Sequence, residues 1–265
     1  MKITILGSGT STGVPEYRCI CDTCKDARRP ESRNRRTRPS IHLEVNGTHI
    51  QFDTGPNFLE QIDRNRIDQI DAIVYTHCHA DHISGTNDLV MPCRKQQMDM
   101  PIYGSKETIE ILQRNYDYLF SSATYEGGGV AHLIANEVSS KFEVSGVELV
   151  PVLVEHGAVL TFGYRIGDFG YVPDVKVFPE TSLEALEGIK VLVLDSLSFN
   201  PRHPTHLSVG EAVEISKRLG PQETYLTHIM HRLDHRFFSD QCSAEGIELP
   251  ETIKLAYDGQ IIEFL

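Results

Sequence analysis

The chain has 265 residues, 40% of them hydrophobic and 23% charged, enough to bury a large core. Its 25 Lys and Arg against 37 Asp and Glu give a net charge of -12, which argues against broad electrostatic binding to nucleic acid or an anionic membrane surface. No stretch approaches the roughly 18 apolar residues of a membrane span, and the N-terminal apolar run is too short for a secretory leader.

In chain order, KITIL (residues 2–6) reads as a strand that runs into a glycine turn at Gly7, Gly9 and Gly13. The spacing G-x-G-x-x-x-G, followed by Val-Pro and thiols in place of a helix, fails the dinucleotide fingerprint. Cys19, Cys21 and Cys24 follow as C-x-C-x-x-C, three of the four ligands of a structural zinc. The other cysteines, 78, 93 and 242, are scattered, a pattern that reads as reduced, cytoplasmic and metal-linked and not as a disulfide framework. Residues 28–38, RRPESRNRRTR, hold six arginines and one glutamate, expected as a solvated loop or as one that contacts an anion.

SIHLEV and THIQFD form a hairpin at Asn46-Gly47, where both positions tolerate positive φ. Strands follow at 72–76, 101–104, 147–155, 160–166, 190–195 and 223–228, with KLAYD and QIIEF flanking Asp258-Gly259. Helical patterns cover 106–120, 182–188 and 208–219, the last with Ser208 and Glu211 placed for a capping box. Residues 93–146 are least regular. Their Tyr116, Tyr118, Phe120 and Tyr125 are read as core, or else as a lid or homodimer surface hinged at Gly127-Gly128-Gly129. Many strands with interspersed helices suggest two packed sheets covered by helices.

YTHCHADH, residues 75–82, carries the strongest chemical signal. Where the backbone is extended, His77 and His79 point to one side and can grip one ion. Asp81 and His82, where the chain turns toward a helix, can address a second. Imidazole suits Zn, Fe, Ni and Co, and a carboxylate widens the range to Mn. Asp53, His156, Asp174 and His228 stand at other strand ends, where a shared site would draw on them. For the thiols, histidine is the remaining fourth ligand: His231, three residues after His228 in THIMHRLDH, or His235 as its competitor.

His-x-His-x-Asp-His, with an upstream Asp and a downstream His, Asp and His in that order, resembles the metallo-β-lactamase superfamily. The resemblance implies an α/β fold, the αβ/βα sandwich, as a single domain over residues 1–265. It implies one metal on His77, His79 and His156, a second on Asp81, His82 and His228, Asp174 between them, and Asp53 behind the ligands. GSGTSTGVP ahead of the thiols, DSLSFNPRHPTHLS and THIMH resemble the PhnP family of cyclic phosphodiesterases, which carries a zinc on such thiols with a late histidine, here His231. That likeness also singles out His206 to contact the phosphate or protonate the leaving oxygen, with Asp81 and Asp174 as the other catalytic residues. The arginine-rich loop and segment 105–130 have no counterpart in it.

The implied cofactors are two divalent ions, Mn or Zn, and one structural Zn. Two such ions less two carboxylates and a bridging hydroxide leave about one positive charge, which suits a monoanionic phosphodiester. The expected function is hydrolysis of a small, ribosyl cyclic phosphate, with the glycine turn at the pocket rim lending amides to the substrate. The alternatives are a nuclease on RNA or DNA ends and a non-catalytic accessory protein of cofactor biosynthesis, with lactam or thioester hydrolysis the weakest.

Overall fold

The computed structural model describes residues 1–121, 132–199 and 203–264. Among these, fourteen strands form two seven-stranded mixed sheets. The first holds β1 (Lys2–Gly7), β2 (Ser40–Val45), β3 (Thr48–Phe52), β4 (Ala72–Val74), β5 (Met100–Gly104), β6 (Leu133–Glu137) and β14 (Gln260–Glu263), in the order β14-β1-β2-β3-β4-β5-β6. The second runs β13-β12-β11-β10-β9-β8-β7 and contains β7 (Phe142–Val144), β8 (Val147–His156), β9 (Val159–Ile166), β10 (Phe169–Val172), β11 (Val191–Asp195), β12 (Glu223–Thr227) and β13 (Ile253–Leu255).

Period-two patterning explains the packing. Ile3 and Ile5 of β1, Ile41 and Leu43 of β2 and Phe52 of β3 meet Tyr164, Tyr171 and Val193 from the other sheet in one buried cluster. The outward faces are covered by helices. α5 (Lys106–Asn115) lays Ile109 and Leu112 against Ile73 and Ile102, and α7 (Val209–Leu219) lays Val209, Ala212 and Val213 against Leu192, Leu194 and Leu226. Layers of helix, sheet, sheet and helix make the αβ/βα sandwich. Ser208 and Glu211 form the full capping box, and Asn46 and Gly47 turn the β2–β3 hairpin at φ 52° and 81°.

KLAYD and QIIEF, on either side of Asp258-Gly259, lie in different sheets: β13 is an edge of the second sheet and β14 an edge of the first, and the chain crosses between the sheets at residues 256–259. Ala256 N–H donates to Leu226 O and Gly259 N–H to Ile5 O on the way. The helical pattern over 106–120 stops at Asn115 and tightens into a 3₁₀ turn at Asp117–Leu119. The irregular region also holds α4 (Val90–Gln96) and the strands β5 and β6. Tyr125 and the glycines at 127–129 lie outside the described residues.

No helix among the described residues is long and apolar enough to cross a membrane. The C-terminal ends of β3, β4, β8, β10, β11 and β12 all open at one edge of the sandwich, where sheet architecture favours ligand sites.

Candidate metal centre

Each residue singled out around the His-rich motif stands just beyond one of those strand ends. Asp53 follows β3, His77 and His79 follow β4, His156 ends β8, Asp174 follows β10 and His228 follows β12. Asp81 and His82 lie in the short helix α3 (Ala80–Ile83; beside α4, α5 and α7, the other α-helices of the described residues are α1 at Asp22–Ala27, α2 at Phe58–Arg64, α6 at Glu180–Ala185 and α8 at Phe238–Ala244), capped by His79 in extended backbone. Asp53 and His228 both adopt left-handed backbone, φ 59° and 58°, which is costly for a residue with a β-carbon and is stored here beside the ligand cluster. Gly55 passes the Asp81 carbonyl so closely that a β-carbon would collide with it.

The side chains converge on two adjoining points. His77, His79 and His156 bring one set of ligand atoms together, and Asp81, His82 and His228 another, each set within 4.8 Å. His82 Nε2 lies 3.1 Å from Asp174 Oδ2 and 3.5 Å from Asp81 Oδ2. His228 Nε2 lies 3.3 Å from Asp174 Oδ1 and 3.5 Å from Asp81 Oδ2, and His156 Nε2 lies 3.9 Å from Asp174 Oδ1. Atoms sharing an ion at 2.0–2.2 Å stand about 3.0 to 3.6 Å apart, so most of these separations fit common ligation. Asp174 touches both sets.

His77 Nε2, His82 Nε2 and Asp174 Oδ2 are buried without a hydrogen-bond partner, the arrangement a cation would satisfy. The opposite ring nitrogens are engaged: His82 Nδ1 donates to Asp53 Oδ2 at 2.8 Å and His156 Nδ1 to Thr205 O at 2.8 Å. Asp53 is itself held by Thr76 N–H and Thr76 Oγ1–H at 2.8 and 2.9 Å. Such partners fix which nitrogen faces the ion.

The electrostatics agree. Burial pushes His82 and His228 toward neutrality, yet the surrounding carboxylates outweigh it, led by Asp174, and raise both, His228 to about 9. Burial and the His82 charge instead hold His77 well below the usual imidazole range. Asp174 stays ionised against its burial because His228 and His82 face it. Three carboxylates around so many imidazoles are a cation site by charge as well as by shape.

The second cluster is the thiol one. Cys19, Cys21 and Cys24 place their sulfurs 3.4, 3.4 and 3.6 Å from His231 Nδ1, and tetrahedral zinc would set sulfur and nitrogen about 3.6 Å apart. His235 faces elsewhere, its Nε2 donating to Ala256 O at 3.0 Å. Burial raises the Cys24 thiol to about 12, so a proton must leave before it can ligate.

Arg28, Arg29, Arg33 and Arg35 of the arginine-rich segment are exposed, as a solvated loop would have them, while Arg36 and Asn34 turn inward to support that cluster. Arg36 is buried and donates to Met230 O at 3.1 Å, to Leu233 O at 2.8 Å and to Asn34 Oδ1 at 3.0 Å. Asn34 Nδ2 bridges Asp26 and Asp234 at 2.9 Å each, Arg29 pairs with Asp26, and Arg28 donates to Cys24 O. Gly7 and Gly9 are glycines because the backbone of residues 36–38 passes where β-carbons would be.

His206 stands beside the ligand set, its ring 4.3 Å from that of His228 and 4.6 Å from that of His156. The partner that sequence reasoning missed is Asp195 at the end of β11, whose Oδ2 accepts from His206 Nδ1 at 3.0 Å and from the amides of Val175 and Leu207 at 3.1 Å each. The signal was available: KVLVLD ends in an acid at the same kind of strand end as Asp53 and Asp174.

A family model described as the Beta-lactamase superfamily domain matches residues 48–229. The chain belongs to that superfamily. Within it the likeness runs to the PhnP family: the crystal structure of a new diphosphatase from that family is 37% identical, with a TM-score of 0.87 over 99% of this chain and 96% of that one. Among curated proteins, the octanoyltransferase of Porphyromonas gingivalis is 30% identical over 98% of this chain, which spans 51% of that relative's length. Ribonuclease Z of Methanococcus maripaludis is 22% identical over 88% of each. As in the superfamily generally, the fold implies divalent metal ions, and the buried unpartnered nitrogens and carboxylate oxygens above fit them.

Proposed function

We propose that this chain, a metal-dependent hydrolase, is a phosphodiesterase acting on small cyclic phosphates, a ribosyl cyclic phosphate foremost, within one domain over residues 1–265. The observation that carries the reading is the convergence of buried, unpartnered His77, His82 and Asp174 atoms beside a carboxylate-backed His206. His77, His79 and His156 would hold one ion, Asp81, His82 and His228 the other, and Asp174 both. Two ions there, Mn or Zn, supply a water of lowered pKa and positive charge for the phosphoryl oxygens. His206, oriented through Nδ1 by Asp195, is placed to give a proton from Nε2 to the leaving oxygen. Asp81 and Asp174 keep the ligands in register and lower the net positive charge to one that suits a monoanion. Cys19, Cys21, Cys24 and His231 would hold a structural zinc that ties the N-terminal loop to the segment after His228. The six cysteines are unbridged, which supports a reducing, cytoplasmic setting.

The relatives named ribonuclease Z raise a nuclease as the second reading. Against it, Arg36 is buried in internal contacts and the net charge is -12. A hydrolysis screen of 2′,3′-cyclic nucleotides, ribosyl cyclic phosphates and short RNA decides between them: turnover confined to the cyclic phosphates is expected, and cleavage of RNA alone would reverse the assignment.

A further inference from the structure

The loop that carries His206 carries a second histidine that no step above uses. His203 Nδ1 accepts from the Thr205 hydroxyl at 2.9 Å and from the Thr205 amide at 3.4 Å. With Nδ1 an acceptor, the proton of the neutral ring sits on Nε2. Thr205 is fixed in turn: its carbonyl accepts from His156 Nδ1, and its methyl packs where a β-carbon on Gly157 would be. The position of His203 is thus tied to a ligand of the centre through one residue.

The rings form a series leading out of the site. His206 is buried against His156 and His228, and His203 lies 5.2 Å beyond His206, exposed to solvent. What backs the two rings differs. His206 Nδ1 faces a buried carboxylate oxygen, Asp195 Oδ2, and His203 Nδ1 faces a hydroxyl. Burial and then the His206 ring hold the His203 pKa below the ordinary value, Asp195 opposes them, and His228 and Lys176 add to the depression. The outer histidine is thereby kept a neutral donor.

We propose that His203 determines specificity by donating its Nε2–H to an oxygen of the leaving group, beyond the oxygen that His206 protonates. The preferred substrates then have leaving groups with a second oxygen close to the scissile one, as sugars and other polyols do, over plain aryl or alkyl alcohols. The inference rests on the phosphodiesterase reading above.

The test compares kcat/KM of wild type, His203→Ala and His203→Gln on a 2′,3′-cyclic nucleotide and on bis(p-nitrophenyl) phosphate. His203→Ala is expected to lower the ratio of the two by about 3- to 10-fold, the worth of one neutral hydrogen bond. His203→Gln, which keeps an N–H donor, restores most of the ratio, and the pH limbs of kcat/KM stay in place. An equal loss on both substrates would reduce His203 to a support of its loop, and a moved pH limb would make it the acid; either overturns the inference. If the wild type hydrolyses neither diester, the phosphodiesterase reading falls, and this inference with it.

Discussion

Asp195→Asn isolates the charge behind His206. All three donors, His206 Nδ1 and the Val175 and Leu207 amides, converge on the one oxygen Oδ2, while Oδ1 is buried without a partner. The two backbone amides therefore pin the asparagine oxygen at the Oδ2 place and send its NH₂ to the Oδ1 place, so the ring keeps its tautomer. What is lost is the difference between a hydrogen bond to a charged acceptor and one to a neutral acceptor, about 1 to 2 kcal/mol, or roughly 5- to 30-fold in rate. The loss should fall on kcat for poor leaving groups such as a sugar hydroxyl, with KM little changed. It should be smaller for p-nitrophenolate, which leaves without an acid. Steady-state kinetics on a cyclic nucleotide and on bis(p-nitrophenyl) phosphate read both. An equal loss on the two substrates, or none, would refute the role given to the Asp195–His206 pair.

Asp53→Asn removes the carboxylate that accepts from His82 Nδ1, and metal affinity should fall about 10- to 100-fold in chelator competition with the fold intact by circular dichroism. Replacing His231 by Ala should cost one tightly bound zinc per chain by elemental analysis. Arg36→Met strips the buried partners of Met230 O and Leu233 O, and urea denaturation should show a loss of about 2 to 4 kcal/mol. Metal retention should weaken as pH falls. His228 free of metal is raised to about 9, so below that pH a proton must leave for an ion to bind, and affinity should drop by up to about tenfold per unit for each proton displaced. EDTA competition at pH 9, 7.5 and 6 checks the slope; affinity that rises toward acid would contradict it.

The strands that β-branched residues write plainly, such as KITIL and KVLVLD, are legible because side chains at period two fill the space between the sheets. FGYV of β10 is not, since four residues with Gly170 among them are too short and too permissive to stand out. Nor is the crossing at Ala256–Gly259: a turn dipeptide announces a hairpin locally, and only the pairing partners, Leu226 and Ile5, reveal that its two strands belong to different sheets. His77, His79, Asp81 and His82 are dense enough to be seen without a fold. Asp195, His203 and the interior role of Arg36 depend on contacts across up to about two hundred residues, and their neighbours in sequence say nothing about them.

A two-ion centre that hydrolyses phosphodiesters is tested most directly by the rate of bis(p-nitrophenyl) phosphate hydrolysis by the chelated chain, still holding its thiol-bound zinc, as Mn²⁺ or Zn²⁺ is added back. The rate should climb to a plateau at two equivalents per chain. A plateau at one equivalent, or no hydrolysis at any loading, would contradict it.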